Sequence, residues 1–148
     1  MALTRYAQPG TLGDKAPEPN LNYERIPKER YTSEEFMKLE WDHMWTKIWL
    51  RGGLSQDLPE PNSYITTEIG NWSIVMIRGE DEKVRAFYNV CKHRGNTLAQ
   101  SKRGVLNEGT FKCGYHRWQY NAMGKLVEAP DPETFPQGLC DPSLHLDE

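Results

Sequence analysis

The sequence predicts a mainly β fold with one N-terminal α-helix, and three features carry that expectation. Apolar residues recur at helical spacing over 32–50. Beyond Leu54 the pattern changes to short runs rich in β-branched and aromatic residues, separated by Gly-containing turns. The 148 residues are 37 % hydrophobic and 26 % charged, which suits one domain with a modest core. No apolar run approaches the length of a membrane span, and residues 1–10 lack the apolar stretch of a signal peptide. With 18 basic and 21 acidic residues the net charge is −3, too mild to direct the chain to nucleic acid.

Residues 1–31 read as an extended arm, since 1–30 hold four Pro and two Gly and show no periodicity. The helical segment spans 32–53. Thr32 and Glu35 have the spacing of a capping box, and Glu34 and Glu35 suit the positive N-terminal end. Met37, Trp41, Met44, Trp45 and Ile48 form one apolar face, expected to pack as core, and Gly52-Gly53 ends the helix. The β region spans 54–130. Strands are expected over 64–69, 72–78 and 84–90, turning at Gly70-Asn71 and at Gly79-Glu80-Asp81-Glu82. Phe111-Lys112 and the run from Trp118 to Asn121 flank a further loop, and Gly124 closes a turn before Lys125-Leu126-Val127. Residues 131–148, Pro-rich and acidic, read as a connector in which His145 is a solvated, isolated side chain. His43, on the helix, reads as a surface or packing histidine.

The chemistry lies in two short segments. Cys91-Lys92-His93 and Cys113-Gly114-Tyr115-His116 each hold one thiol and one imidazole, with nineteen residues between His93 and Cys113. Two sulfurs and two nitrogens are the donor set of a Rieske-type [2Fe-2S] cluster, with two Cys on one iron and two His on the other. Neutral imidazoles in place of two thiolates remove negative charge and raise the reduction potential. Each segment must then send its Cys and its His to different irons, which requires tight loops. Arg94-Gly95-Asn96 and Gly114 supply loop chemistry. A zinc ion takes the same donors tetrahedrally, although zinc sites more often pair Cys with Cys and His with His in sequence. A disulfide between Cys91 and Cys113 would leave both histidines unexplained. Two buried thiols beside two ordinary histidines is the remaining reading. Cys140 reads as a plain thiol, and unpaired thiols suit a reducing cytoplasm.

The run Cys91-Lys92-His93-Arg94-Gly95-Asn96, with Cys113-Gly114-Tyr115-His116-Arg117-Trp118-Gln119-Tyr120, resembles the signature of Rieske non-heme iron oxygenase α subunits, the aromatic ring-hydroxylating dioxygenase family. The resemblance implies an antiparallel Rieske-type iron–sulfur β domain. Its cluster ligands would be Cys91, His93, Cys113 and His116, supported by Arg94, Gly95, Tyr115 and Trp118. The chain departs from the usual pattern at Arg117, where the family has Gly, and at Gly114, where it often has Pro. Arg117 places a cation beside His116, expected to be the exposed ligand, and should raise the potential or change partner choice.

What the resemblance implies further is an electron-transfer domain that takes electrons from a ferredoxin or reductase. It would pass them to a mononuclear Fe(II) in a catalytic domain of the same or a neighbouring subunit, within a homotrimer, for O₂-dependent hydroxylation. That iron needs two His and a carboxylate. Outside the cluster segments only His43 and His145 remain, so this chain alone is not expected to hydroxylate a substrate. The expectation is the N-terminal part of a longer α subunit. The alternatives are a stand-alone Rieske-type ferredoxin and, more distantly, a two-Cys/two-His zinc module.

Overall fold

Alternating β-branched and aromatic residues build an antiparallel meander of β1 (Ser63–Ile69), β2 (Trp72–Arg78) and β3 (Val84–Tyr88). One set of alternate positions buries Ile65, Val75, Ile77 and Phe87. This computed structural model describes residues 25–148, so most of the expected arm, residues 1–24, lies outside the described residues. The third strand stops at Tyr88, two residues short of expectation. There the buried Asn89 side chain donates to the Ala99 carbonyl and accepts from the Ala99 N–H, both at 2.8 Å. A fourth strand, β4 (Arg103–Val105), was not foreseen. It pairs with the free side of β1 and gives the order β3-β2-β1-β4. Three residues, Arg-Gly-Val, are too few to show a period.

A second antiparallel sheet, in the order β5-β6-β7, consists of β5 (Thr110–Lys112), β6 (Gln119–Asn121) and β7 (Leu126–Glu128). The β6–β7 register shifts at Gln119/Tyr120, where one step along β6 faces two along β7, from Glu128 to Leu126. Both sheets contribute to one core, in which Val75, Ile77, Phe87, Phe111, Trp118 and Tyr120 pack with Cys91 and Cys113. Gly124, at φ +74°, makes the turn before β7. A Cβ there would stand 2.6 Å from the Phe87 ring, so both backbone and packing call for glycine.

Residues 131–148 pack on the β core along part of their length. Phe135 packs edge-on against Trp118 at 5.5 Å, and Leu146 is buried. The Leu146 N–H donates to the Gly124 carbonyl (2.8 Å), and the Tyr88 N–H donates to the Asp147 carbonyl (3.1 Å). His145, read as solvated, is half-buried, and its Nδ1 accepts from the Leu126 N–H at 3.2 Å. The physical reason is the apolar spacing of Phe135, Leu139, Leu144 and Leu146, which lets a Pro-rich segment cover core without regular structure. Arg51–Glu148 forms one compact unit.

The preceding unit, Met1–Leu50, is helical where described. α1 (Glu29–Thr32) falls in part on residues expected to be extended, and α2 (Glu34–His43) follows it. The cap is Ser33, not Thr32. Its Oγ accepts from the Phe36 N–H at 3.1 Å, while the Thr32 hydroxyl bonds back to the Lys28 carbonyl. α2 ends at His43, well before Gly52-Gly53, because Met44 leaves helical geometry and the following Trp-Thr-Lys-Ile-Trp run is a poor helix former. The expected core face is not buried. Trp41, Met44 and Trp45 are half-buried, while Met37, Ile48 and His43 are exposed. Among the described residues no helix is long and apolar enough to cross a membrane.

Candidate metal centre

Two loops meet at one edge of the β core. The first, residues 91–96, leaves β3 through an isolated bridge between Val90 and Thr97. Inside it the Cys91 N–H donates to the Asn96 carbonyl (2.8 Å) and the Gly95 N–H to the Cys91 carbonyl (2.9 Å). Gly95 sits at φ +70°, a left-handed position that favours glycine. The second loop turns β5 into β6. Its closing bonds run from the Cys113 N–H to the Trp118 carbonyl (2.8 Å) and from the Arg117 N–H to the Cys113 carbonyl (3.0 Å). The left-handed residue here is Arg117 (φ +60°), not Gly114.

The loops sort the four expected donors by chemistry. Cys91 and Cys113, each 2 % exposed and unpaired by any disulfide, lie together in one buried cluster. The His93 and His116 rings face each other at 4.7 Å and 65°. Each pair takes one member from each loop. A sulfur pair beside an imidazole pair fits a binuclear cluster with two Cys on one iron and two His on the other. One zinc ion requires its ligands to converge on a point. Among the described residues no three His, Cys, Asp or Glu side chains do so. His116 Nδ1 is buried and has no hydrogen-bond partner. Such an orphan is costly unless something satisfies it, and a metal ion would.

The surroundings orient these groups. Trp118, 6 % exposed, stacks parallel to His93 at 4.9 Å and 8°. Tyr115, 58 % exposed, lies tilted over His116 at 3.7 Å. Tyr120, fully buried, sets its hydroxyl 3.4 Å from Cys91 Sγ and accepts from the Lys92 N–H at 3.2 Å. Lys92 Nζ is held by both Asp147 oxygens, at 3.0 and 2.9 Å. Arg94 is exposed and makes no ion pair among the described residues. His93 is the exposed imidazole and His116 the half-buried one, the reverse of expectation, because Tyr115 lies over His116 and its Nδ1 is buried. A groove of about 610 Å³ opens beside the imidazoles, lined by Lys92, His93, Tyr115, His116, Arg117 and Phe135 among others.

The two thiols differ. Burial pushes the Cys91 thiol up, only partly countered by the Tyr120 hydroxyl and the His93 N–H. Burial acts on Cys113 too, but the Tyr115 and His116 N–H groups, Cys91 and the Asn96 amide outweigh it and hold that thiol below its ordinary range. His93 is lowered by burial, then by His116 and Arg94. Tyr120 is raised far beyond its usual range by burial and by Cys91, so it stays a neutral hydroxyl that can donate.

Reading the residues alone missed Asn89, which anchors the first loop, and Asp147, which holds Lys92. No local signal points to either, since both act on partners remote in sequence. Asn96 and Tyr120 stand inside the motifs, but only the packing shows what their side chains touch.

Residues 48–138 match the Rieske [2Fe-2S] domain family. The chain is 34 % identical over 125 residues to the toluate 1,2-dioxygenase α subunit of Pseudomonas putida, covering 82 % of this chain and 27 % of that one. It is 38 % identical over 109 residues to the carnitine monooxygenase oxygenase subunit of Escherichia coli K12, covering 74 % and 29 %. Among solved structures, the apo form of a quaternary ammonium Rieske monooxygenase superposes with a TM-score of 0.75 at 34 % identity, covering 82 % of this chain and 35 % of that one. Naphthalene 1,2-dioxygenase with indole bound gives 0.71 at 29 % identity, covering 80 % and 26 %. The chain thus spans between a quarter and a third of the length of these two curated relatives.

Proposed function

This chain belongs to the Rieske [2Fe-2S] domain family, and we propose that it is the electron-delivery domain of a terminal oxygenase α subunit. Cys91 and Cys113 would hold one iron of the cluster and His93 and His116 the other. The cluster stores and releases one electron at a time. The observation that carries the reading is the sorted donor set, two thiols in one buried cluster and imidazole beside imidazole, with an orphaned nitrogen on His116.

The chain's own residues then have definite tasks. Trp118 keeps the His93 ring from turning, and Tyr115 does the same for His116. The buried core around Cys91 and Cys113 keeps water from the sulfurs. The exposed His93 edge and the adjoining groove offer the shortest way in and out for an electron. A ferredoxin or reductase would supply electrons there. A mononuclear Fe(II) in a catalytic domain of the same or a neighbouring subunit would receive them, for O₂-dependent hydroxylation. Inter-subunit electron transfer is described for a quaternary ammonium Rieske monooxygenase of similar structure, which supports this route. A homotrimer and a reducing cytoplasm are the setting we propose. The substrate does not follow from this domain, since relatives named for toluate and for carnitine both match it.

A stand-alone ferredoxin-type carrier is the second reading. It is favoured by the way residues 131–148 fold back on the β core, so that 51–148 form one compact unit.

Electron paramagnetic resonance of the anaerobically reduced chain, with iron and acid-labile sulfide counted on the same sample, tests the proposal. The expected result is a reduced signal of low average g with two irons and two sulfides per chain. A silent sample holding zinc would overturn it.

A further inference from the structure

Asn96 stands where the two loops cross. Its backbone carbonyl accepts from the Cys91 N–H at 2.8 Å, within the first loop. Its side-chain amide reaches the second loop, with Nδ2 3.6 Å from Cys113 Sγ. The larger radius of sulfur makes that a bonding distance. The same Nδ2 donates to the Thr97 carbonyl at 3.0 Å. An amide nitrogen carries two hydrogens, and here each has an acceptor. Turning the amide over would set Oδ1 against a carbonyl oxygen and a thiolate, both acceptors. The Thr97 carbonyl therefore fixes which end of Asn96 faces the sulfur. Half-burial of Asn96 limits competition from water.

Tyr120 mirrors this arrangement. It leaves the second loop and returns its hydroxyl to Cys91 of the first. Each cysteine thus has a side-chain hydrogen-bond partner from the other cysteine's segment.

We propose that Asn96 is a positioning residue that sets the reduction potential of the centre, by donating an N–H to Cys113 Sγ and tying the two loops together. Reduction adds negative charge to the cluster and its thiolates. A donor aimed at a thiolate stabilises the reduced state more than the oxidised one. Removing it lowers the potential. A hydrogen bond of ordinary net strength corresponds to about a three- to tenfold change in the reduced-to-oxidised ratio at fixed ambient potential. The upper figure is about 59 mV for one electron.

The inference rests on the ligand assignment above. The iron and sulfide content of the parent chain tests that assignment separately, so the two can fail independently. The test is a redox titration of the full chain holding its cluster, followed by electron paramagnetic resonance, for the parent, Asn96→Ala and Asn96→Asp. In the alanine variant the reduced-to-oxidised ratio is expected to fall three- to tenfold. In the aspartate variant, which keeps the shape but sets an acceptor and a charge against the sulfur, it should fall further. A loaded alanine variant with a ratio within twofold of the parent overturns the proposal, as does an aspartate variant that shifts less than alanine. If the alanine variant binds no iron, Asn96→Ser takes its place, since its hydroxyl can still donate. A serine variant closer to the parent than aspartate supports the assignment, and one equal to aspartate overturns it.

Discussion

The two cysteine–histidine loops do the same job with different support. The second is closed by its own hairpin, with Cys113 and Trp118 pairing directly across the turn from β5 to β6. The first has a comparable local closure, between Cys91 and Asn96, but it also depends on distant groups. Tyr120 holds Cys91 and Lys92, Trp118 holds His93, and Asp147 holds the Lys92 ammonium. The second loop is thus a turn that its strands create. The first is a turn that the rest of the domain keeps in place. The exposed imidazole, His93, lies on the dependent loop, so the more accessible of the two rings is also the one that tertiary packing must steady.

Substitutions in the groups that hold the first loop should therefore unsettle it before the second. Trp118→Ala is expected to have the largest effect, because it empties a buried aromatic site and unstacks His93. About 3–5 kcal/mol of stability should be lost, read by denaturant unfolding, together with part of the bound iron. Equal stability in the variant would show that Trp118 does not support the loop. Tyr120→Phe keeps the ring and deletes only the hydroxyl. About 1 kcal/mol is expected to go, with faster amide exchange at Lys92 and a lowered potential, while exchange at Arg117 stays unchanged. Slowed or unaltered exchange at Lys92 would contradict the bridging role.

Arg117→Gly probes the second loop on its own terms. Arg117 holds a left-handed conformation that costs a side-chain residue about 1–2 kcal/mol. Glycine removes that strain but is more flexible when unfolded, at about 0.5–1 kcal/mol. A net gain of up to about 1 kcal/mol is expected as a higher thermal midpoint, and a lower midpoint would mean that the arginine side chain contributes more than its backbone costs. Asp147→Asn should be the mildest change. It breaks a partly exposed ion pair with Lys92, and the loss should stay below about 1 kcal/mol and vanish in high salt. A salt-independent loss would assign Asp147 a role other than charge.

Legibility in the sequence divided along the same line. The four candidate donors were visible because Cys-x-His and Cys-x-x-His are local spacings, and β1 to β3 were visible because alternation is local too. Gly95 and Gly124 occupy left-handed turns, as their positions suggested. β4 was not visible, because three residues pair with a strand remote in the chain. The expectation that the segment 32–53 buries Met37 and Ile48 failed because a helical period reports a face and not what covers it. The packing of 131–148 on the core was not visible because Pro-rich composition hides the four apolar side chains that reach it.

By itself, then, the sequence determined the candidate donor set, the class of cofactor and the antiparallel β scaffold, since each depends on residue type and short-range spacing. Only the tertiary structure decided which histidine is exposed and which groups beyond the four donors touch the sulfurs. Those properties depend on burial and on hydrogen bonds between residues such as Cys91 and Tyr120, or Asn96 and Cys113, that come together only when the two loops meet on one core.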